Sequence, residues 1–199
     1  MKKRLILVIL FFFRKIGKVF HIINEILIPK ESYLAKIRIQ LNYYKFQSVG
    51  KNCSLGKNVK ISPQLEIILK DNVAIRDNVT FSGKGLLLIN SNSIINENCM
   101  LSCYKKIHIG KNVMIAANSQ ILDVTHNYKR ADIPISLQGY TTREVLIEDN
   151  VWVGAQSIIL MGVIIKSGSI IGANSLVTKS VPQNQIYAGS PAKLIKARI

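Results

Sequence analysis

The chain has few cysteines, and their number and spacing exclude two classes of protein. It has 199 residues and only three cysteines, too few for the disulfide framework of a small secreted domain. No C-x-x-C pair occurs, so we expect no structural zinc site and no other metal. Free thiols suit a reducing compartment best, and we therefore predict a cytoplasmic protein.

Acidic residues are also scarce. The chain has 11 Asp and Glu against 27 Lys and Arg, a formal net charge of +16. A basic surface suits an anionic lipid, a nucleic acid or a small molecule that bears phosphate. The sequence contains no recognised nucleic-acid module and no platform of stacking aromatics, so we expect no nucleic-acid partner.

The sequence lacks an apolar run long enough to cross a membrane. The longest run near the N-terminus, Leu5–Phe13, has nine residues and basic residues on both sides, whereas a spanning helix needs about twenty. We expect residues 1–20 to form a helix that lies on an anionic membrane, such as the inner face of the plasma membrane. The alternative is an apolar helix that packs on the domain or on a partner subunit.

An aliphatic residue recurs every six positions along most of the chain. Such a period fits neither a helix nor a simple strand alternation, and it indicates a short strand followed by a corner. The frame slips by two residues after every third position in the first half, which gives coils of twenty residues there and eighteen later. The repeat positions are Val49, Leu55, Ile61, Leu69, Ile75, Phe81, Ile89, Ile95, Leu101, Ile109, Ile115, Ile121, Ile147, Val153, Ile159, Ile165, Ile171 and Val177.

Three strand-and-corner units make one triangular coil, and stacked coils bury a continuous apolar column. The fifth residue of each hexad is small or β-branched in most cases, and Cys53 and Cys99 fall there as core residues. The fold is thus predicted to be mainly β, a parallel β-helix of about six coils in residues 49–182. A helical segment, residues 1–48, precedes it, and a C-terminal extension, residues 183–199, follows.

The stretch IEDNVWVGAQSIILMGVIIKSGSIIGANSLVTKSVPQNQIYAGSPAKLIKAR, residues 147–198, resembles the hexapeptide-repeat acyltransferases. Within that family it resembles the galactoside and maltose O-acetyltransferases and the capsule and O-antigen polysaccharide O-acetyltransferases. The resemblance implies a left-handed β-helix, a homotrimer, acetyl-CoA as co-substrate and a glycan acceptor. The basic, apolar N-terminus adds the expectation that the acceptor lies near a membrane, for example as a lipid-linked glycan.

The repeat is interrupted once, after ILDVTH, by the twenty residues 127–146. Loops this long in a compact repeat are usually functional, and in the resembling family such a loop reaches toward a neighbouring subunit. His126 stands at its root. A sugar hydroxyl needs a base as it attacks a thioester, and histidine has a suitable pKa range. We therefore predict His126 as the general base, with Asp123 orienting it; His21 and His108 fit less well.

The resemblance assigns further residues around the donor. The N–H of Ala155 would stabilise the oxyanion, and Gly154 would allow close approach. Trp152 would line the acceptor or pantetheine channel, with simple packing as the alternative. Ala173 would contact the pantetheine arm through its backbone. Thr178 and Lys179 would lie near the adenine end of coenzyme A, and Lys193 would lie near one of its phosphates. Asn98 would contact the acceptor.

At the C-terminus, residues 191–198 are predicted to form a short helix with Pro191 in its first turn.

The identity of the acceptor leaves alternatives open. The stretch NCMLSCYKKIHIG lacks the acid that soluble sugar acetyltransferases of this type carry before the Ile109–Gly110 position, which disfavours a simple hexose as acceptor. An N-acetyltransferase that acts on an amino sugar or a serine-type acceptor uses the same donor. A screen of acceptors would therefore distinguish it from an O-acetyltransferase. A zinc enzyme of the γ-carbonic anhydrase type would need clustered histidines, and a non-catalytic scaffold would not bind acetyl-CoA.

Overall fold

The computed structural model describes residues 31–199, so the membrane-surface helix predicted in residues 1–20 lies outside the described part. No helix in residues 31–199 is long and apolar enough to cross a membrane.

A short helical region precedes the first coil. It consists of helix α1 (Glu31–Leu41) and a 3-10 helix (Tyr43–Lys45). Ile39 of α1 and Phe46, which follows the 3-10 helix, are buried in the hydrophobic core. The first coil has no coil before it, and these two side chains cover apolar surface that would otherwise meet water.

Three parallel sheets form the sides of a triangular prism. Sheet A consists of β1 (Ser48–Val49), β4 (Glu66–Leu69), β7 (Leu86–Ile89), β10 (Lys106–Ile109), β15 (Val145–Ile147) and β18 (Ile164–Ile165). Sheet B consists of β2 (Ser54–Leu55), β5 (Ala74–Ile75), β8 (Ile94–Ile95), β11 (Met114–Ile115), β16 (Trp152–Val153), β19 (Ile170–Ile171), β21 (Gln185–Ala188) and β22 (Lys193–Ala197). Sheet C consists of β3 (Lys60–Ile61), β6 (Thr80–Gly83), β9 (Met100–Cys103), β12 (Gln120–Leu122), β17 (Ile158–Ile159) and β20 (Leu176–Val177).

The prediction of a left-handed parallel β-helix of about six coils is confirmed. Each sheet takes one strand from each of six complete coils, and a seventh coil begins with a bridge between Ile165 and Val181 and continues in β21. The repeat positions of successive coils are in register with one another; Ile75, for example, pairs with Ile95 of the next coil. All of them are buried except Val49 and Ile61 of the first coil.

Asparagines turn the chain at the corners between strands. Eleven of them have positive φ angles, near +60°, where asparagine is better tolerated than most residues. Their side chains also bond from coil to coil, as Asn72 Nδ2 does to Asn92 Oδ1 at 2.9 Å. Asp71 accepts a hydrogen bond from the backbone N–H of Lys51 at 2.7 Å. Corner residues therefore link neighbouring coils as well as reversing the chain.

The short C-terminal helix predicted for residues 191–198 is wrong. Lys193–Ala197 forms the strand β22, which pairs antiparallel with β21 of the last coil. An eight-residue segment is too short to gain much from helix formation. In strand form it covers the backbone edge that the last strand of sheet B would otherwise leave unpaired.

Candidate active site

His126 lies on a two-stranded ribbon that leaves the prism at one edge. We name this the CA edge, where each coil passes from sheet C to sheet A. The ribbon pairs β13 (Val124–His126) with β14 (Tyr140–Thr142), antiparallel, so that His126 lies opposite Tyr140. The His126 side chain is exposed. The loop beyond the ribbon contains a 3-10 helix (Ile135–Leu137).

The loop is held in shape by its own side chains. Gln138 donates through Nε2 to the carbonyl oxygens of Arg130 and Ile133, at 2.7 and 2.8 Å. Asn127 donates to the Gln138 carbonyl oxygen at 3.0 Å and accepts from the Thr141 hydroxyl at 2.7 Å. These bonds tie both arms of the loop together, so its wall beside the histidine has a defined form.

A cavity of about 670 Å³ opens between this loop and the fifth coil, and His126 lines it. This volume lies within the range of small-molecule sites. Arg130 and Arg143 supply positive charge to its wall, and Ile133 and Met161 supply apolar surface. The cavity therefore suits a ligand with both anionic and apolar parts.

Asp123 does not contact the predicted base. It is fully buried, and its carboxylate accepts hydrogen bonds from the backbone N–H groups of Tyr104, Lys105 and Lys106, at 2.7, 2.7 and 2.8 Å. No hydrogen bond joins it to His126 within the described chain. Because its oxygens are committed to the preceding corner, Asp123 anchors the root of the loop instead of orienting the imidazole.

A second edge carries the predicted oxyanion donor. At this BC edge, where coils pass from sheet B to sheet C, coils four to six have Ala117, Ala155 and Ala173 at equivalent places, linked by backbone hydrogen bonds. In the first coil the equivalent backbone N–H, that of Lys57, donates to the Asp77 carboxylate. An alanine offers no such acceptor. Within residues 31–199 the N–H groups of the three alanines make no hydrogen bond, which leaves them available to a ligand.

Two neighbours of Ala155 differ from each other in role. Trp152 is 46% exposed and stands on the outer face of sheet B beside Met114, which is 50% exposed. This apolar surface is suited to a pantetheine arm. Gly154 is buried, and a side chain there would collide with the backbone of Gly172 and Ala173. Its lack of a side chain thus permits contact between coils, and the close approach of a ligand stays a prediction.

The other residues implied by resemblance lie at the two edges and in β22. Asn98 lies on the BC edge, where it accepts a hydrogen bond from Asn78 at 3.2 Å. Thr178 and Lys179 are exposed on the CA edge, one coil beyond the cavity. Lys193 is exposed at the start of β22 and pairs with the end of β21. Their contacts with a donor or acceptor stay predictions.

The structure does not bring His126 and Ala155 together within one chain. They lie at the two edges that bound sheet C, and one side of the prism separates them. Five residues of strand at 3.3 Å each make this side about 17 Å wide. Reacting groups must approach to about 3 Å. Each chain therefore carries the predicted base and the predicted oxyanion donor at separate edges, and we call these two places half-sites.

Sequence reasoning missed several residues near these half-sites. Ala117 was detectable, because an alanine replaces the charged residues Lys57, Asp77 and Glu97 of earlier coils at the same place in the hexad. Tyr104 and Tyr140 meet edge to face, with ring centroids 5.5 Å apart. No sequence pattern predicts that contact, because it depends on the path of the loop.

The second described histidine, His108, does not line the cavity. His108 lies on the outer face of sheet A, where Asn90 Nδ2 is 2.7 Å from its Nε2. Burial lowers the pKa of His108, and the nearby Lys106 lowers it further. The described residues contain no group of three His, Cys, Asp or Glu side chains placed to hold a metal ion.

Comparison with known proteins identifies the family. The family model described as "Bacterial transferase hexapeptide (six repeats)" matches residues 144–179. AntD, an N-acyltransferase from Bacillus cereus solved in complex with dTDP and 3-hydroxybutyryl-CoA, superposes with a TM-score of 0.71. It is 30% identical, over 81% of this chain and 88% of AntD. The chain belongs to the hexapeptide-repeat transferases.

Curated relatives of this hexapeptide-repeat transferase match over part of their length. WbbJ of Escherichia coli K12, whose name assigns it to lipopolysaccharide biosynthesis O-acetyl transfer, is 33% identical over 121 residues, 57% of this chain and 62% of WbbJ. The galactoside O-acetyltransferase of Escherichia coli K12 is 34% identical over 116 residues, 58% of this chain and 56% of that enzyme. The chain thus spans a little over half the length of these two relatives.

Proposed function

We propose that this protein transfers an acetyl group from acetyl-CoA to a hydroxyl group of a sugar or surface polysaccharide. His126 takes the proton of the hydroxyl as the oxygen attacks the thioester carbonyl. The C–S bond then breaks and coenzyme A leaves as the thiol. The observation that carries the proposal is the exposed imidazole fixed on its ribbon in the wall of a cavity of about 670 Å³.

The donor half of the proposal depends on the BC edge. The N–H group of Ala155 is without an acceptor in the described chain, and it would donate to the tetrahedral oxyanion. The N–H groups of Ala117 and Ala173 would bond to amide groups of the pantetheine arm, and Trp152 would cover its apolar part. AntD, the similar structure described above, holds an acyl-CoA, which supports this choice of donor.

Two half-sites on separate edges favour a homotrimer. The CA edge of one subunit must meet the BC edge of the next for His126 and Ala155 to share a substrate. Since both edges bound sheet C, that sheet would face the threefold axis. Its outer face carries the half-buried apolar residues Ile158, Leu160 and Leu176 in the last two coils, which suits contact between subunits.

Transfer to an amine is the second candidate. AntD is an N-acyltransferase, and it is similar to this chain over most of its length. The same base and donor would serve an amino sugar, whose neutral amine is the better nucleophile. Paired acceptors that differ only in hydroxyl or amine at one carbon, such as glucose and glucosamine, separate the two reactions.

The test is release of free thiol from acetyl-CoA in the presence of a panel of bacterial surface glycans and sugar phosphates. The His126→Ala variant should lose transfer by at least about a hundredfold, which is the usual contribution of a general base. The matched control is His108→Gln, which changes the other described histidine and should retain activity. Near-normal turnover by His126→Ala, with coenzyme A still bound, would contradict the proposed base.

A further inference from the structure

The CA edge carries a group of side chains that the proposed reaction does not use. Lys84 and Tyr104 occupy successive corners of the second and third coils. The N–H of Lys84 donates to the carbonyl oxygen of Cys103 at 3.0 Å, and the N–H of Tyr104 donates to the buried Asp123 at 2.7 Å. Backbone contacts thus fix both corners, and Tyr140 of the ribbon packs against the ring of Tyr104.

The two tyrosines form an aromatic surface with open area. Their planes meet at 63° and their centroids lie 5.5 Å apart, so the edge of one ring meets the face of the other. Tyr104 is 36% exposed and Tyr140 is 44% exposed. An exposed aromatic face stacks on flat rings such as nucleobases, and it does so with any of the bases because each has a flat face. The pair is therefore suited to holding the body of a ligand.

Lys84 places a positive charge beside that surface. Its Nζ lies 5.8 Å from the centroid of the Tyr140 ring. Its interaction with Tyr140 raises the pKa of Lys84 above its usual value, and an exposed lysine is charged at neutral pH without that shift. Within residues 31–199 no carboxylate pairs with Lys84, whereas Lys105 nearby pairs with Glu144 at 3.6 Å. Lys84 is thus free to bind a phosphate.

These side chains stand next to the predicted base. Tyr140 and His126 are directly opposite each other in the antiparallel ribbon, so their side chains lie on the same face. Such pairs have Cβ atoms about 5 Å apart. A ligand stacked on Tyr140 would therefore present its neighbouring groups to the imidazole.

We propose that Lys84, Tyr104 and Tyr140 form an acceptor subsite for a sugar that carries a phosphate or pyrophosphate ester. The proposal rests on the acetyl transfer proposed above. Lys84 would pair with the phosphate, and the tyrosines would stack on the nucleobase or cover the sugar. A nucleotide and a lipid carrier both supply this pyrophosphate chemistry.

The test measures binding without turnover. Full-length protein saturated with coenzyme A is titrated by calorimetry with dTDP and, separately, with farnesyl diphosphate, so that the donor site is already filled. Lys84→Met should weaken binding of both diphosphates by about tenfold or more, because it removes a charge-assisted contact. Lys111→Met is the matched control, since Lys111 is also an exposed corner lysine but lies between sheets A and B. It should bind like the wild type.

A second variant distinguishes the two carriers. Tyr104→Leu should weaken the binding of dTDP more than that of farnesyl diphosphate if the carrier is a nucleotide, and should weaken the binding of both equally if the carrier is a lipid. Unchanged binding in Lys84→Met, or no binding of either diphosphate to the protein saturated with coenzyme A, overturns the subsite. His126→Ala should keep the Lys84-dependent binding. If that binding is present but no acceptor supports thiol release, the proposed function fails and the subsite stands.

Discussion

At the scale of single residues, Asp123 explains how a regular repeat can be interrupted without losing its shape. Its side chain holds the corner below, and its backbone oxygen accepts a hydrogen bond from the N–H of Arg143 at 2.9 Å, where the chain returns to the prism. One buried residue thus joins the departing strand, the returning strand and the preceding coil. The position of His126 depends on all three.

Asp123→Asn should destabilise the protein strongly. The amide oxygen of asparagine can take the place of only one carboxylate oxygen, so at least one of the three backbone N–H groups would face an NH₂ group and be left unpaired. The remaining bonds would also lose the assistance of the negative charge. We expect a loss of at least about 3 kcal/mol in the free energy of unfolding, measured with urea. Asp71→Asn is the matched control, because Asp71 is exposed and accepts one bond, from Lys51. Equal, small losses for the two variants would contradict this role.

The thiol of Cys103 should make stability fall in alkali. Burial, and then the negative charge of Asp123, raise the pKa of Cys103 from 9.0 to about 12. Between about pH 9 and 12 the unfolded chain loses this proton and the folded chain keeps it. The native state then binds more protons, so the free energy of unfolding falls as pH rises, by up to about 1.4 kcal/mol per unit.

The measurement compares urea unfolding at pH 8 and pH 10.5 for the wild type and Cys103→Ala. Lysines and tyrosines titrate in both proteins, so only the difference between their pH slopes reports on the thiol. The wild type should have the steeper decline. Parallel slopes would mean that Cys103 ionises as easily in the folded state as in the unfolded state.

The sequence predicted some residue roles and not others for physical reasons. The six-residue period located the buried column, because burial selects apolar side chains at every equivalent place. It also located His126, because an interruption of a period is visible in the sequence. Proximity along the chain suggested that Asp123 served His126, yet its partners lie nearly twenty residues earlier. Hydrogen bonds between coils follow the stacking of the coils, which a local motif does not contain.

At the scale of elements, the corners of the CA edge depend on how closely successive coils approach. Gly83 has a φ angle of +113°, which few residues other than glycine adopt, and a Cβ there would collide with the backbone carbonyl of Cys103. The same corner carries Lys84. The position of the lysine beside the tyrosines therefore depends on the glycine before it.

Gly83→Ala should lower the free energy of unfolding by at least about 3 kcal/mol, because strain at positive φ adds to a backbone collision. Gly139→Ala is the matched control. Its φ angle is also positive, at +73°, but a Cβ there would meet only the side chain of Asn127 at 4.0 Å. That variant should lose about 1 kcal/mol, the backbone strain alone. Thermal unfolding of the two variants checks the difference.

The C-terminal element was predicted wrongly for a reason at the same scale. Pro191 and the mixed apolar and basic residues after it fit the first turns of a short helix. The free edge of β21 changes the balance, since β22 pairs with it there at four residue positions. An unpaired sheet edge is a property of the assembled prism, so a segment considered alone gives no sign of it.

At the scale of the whole molecule, the two half-sites make a prediction about mixed oligomers. Ala155→Pro removes the predicted oxyanion N–H. Ala155 precedes Gln156, whose φ angle is +59°, and proline is favoured at the residue before such a position in a type II turn. His126→Ala removes the predicted base. Each variant should form a folded oligomer with little or no transfer.

Trimers reassembled from equal amounts of the two variants should recover activity. A site that takes its base from one subunit and its N–H from the next is intact when the first subunit is Ala155→Pro and the second is His126→Ala. Random assembly gives this arrangement at about one quarter of the sites, so thiol release should reach about one quarter of the wild-type rate. If both groups instead served a site within one chain, every site would lack one of them and the mixture would stay as inactive as its components.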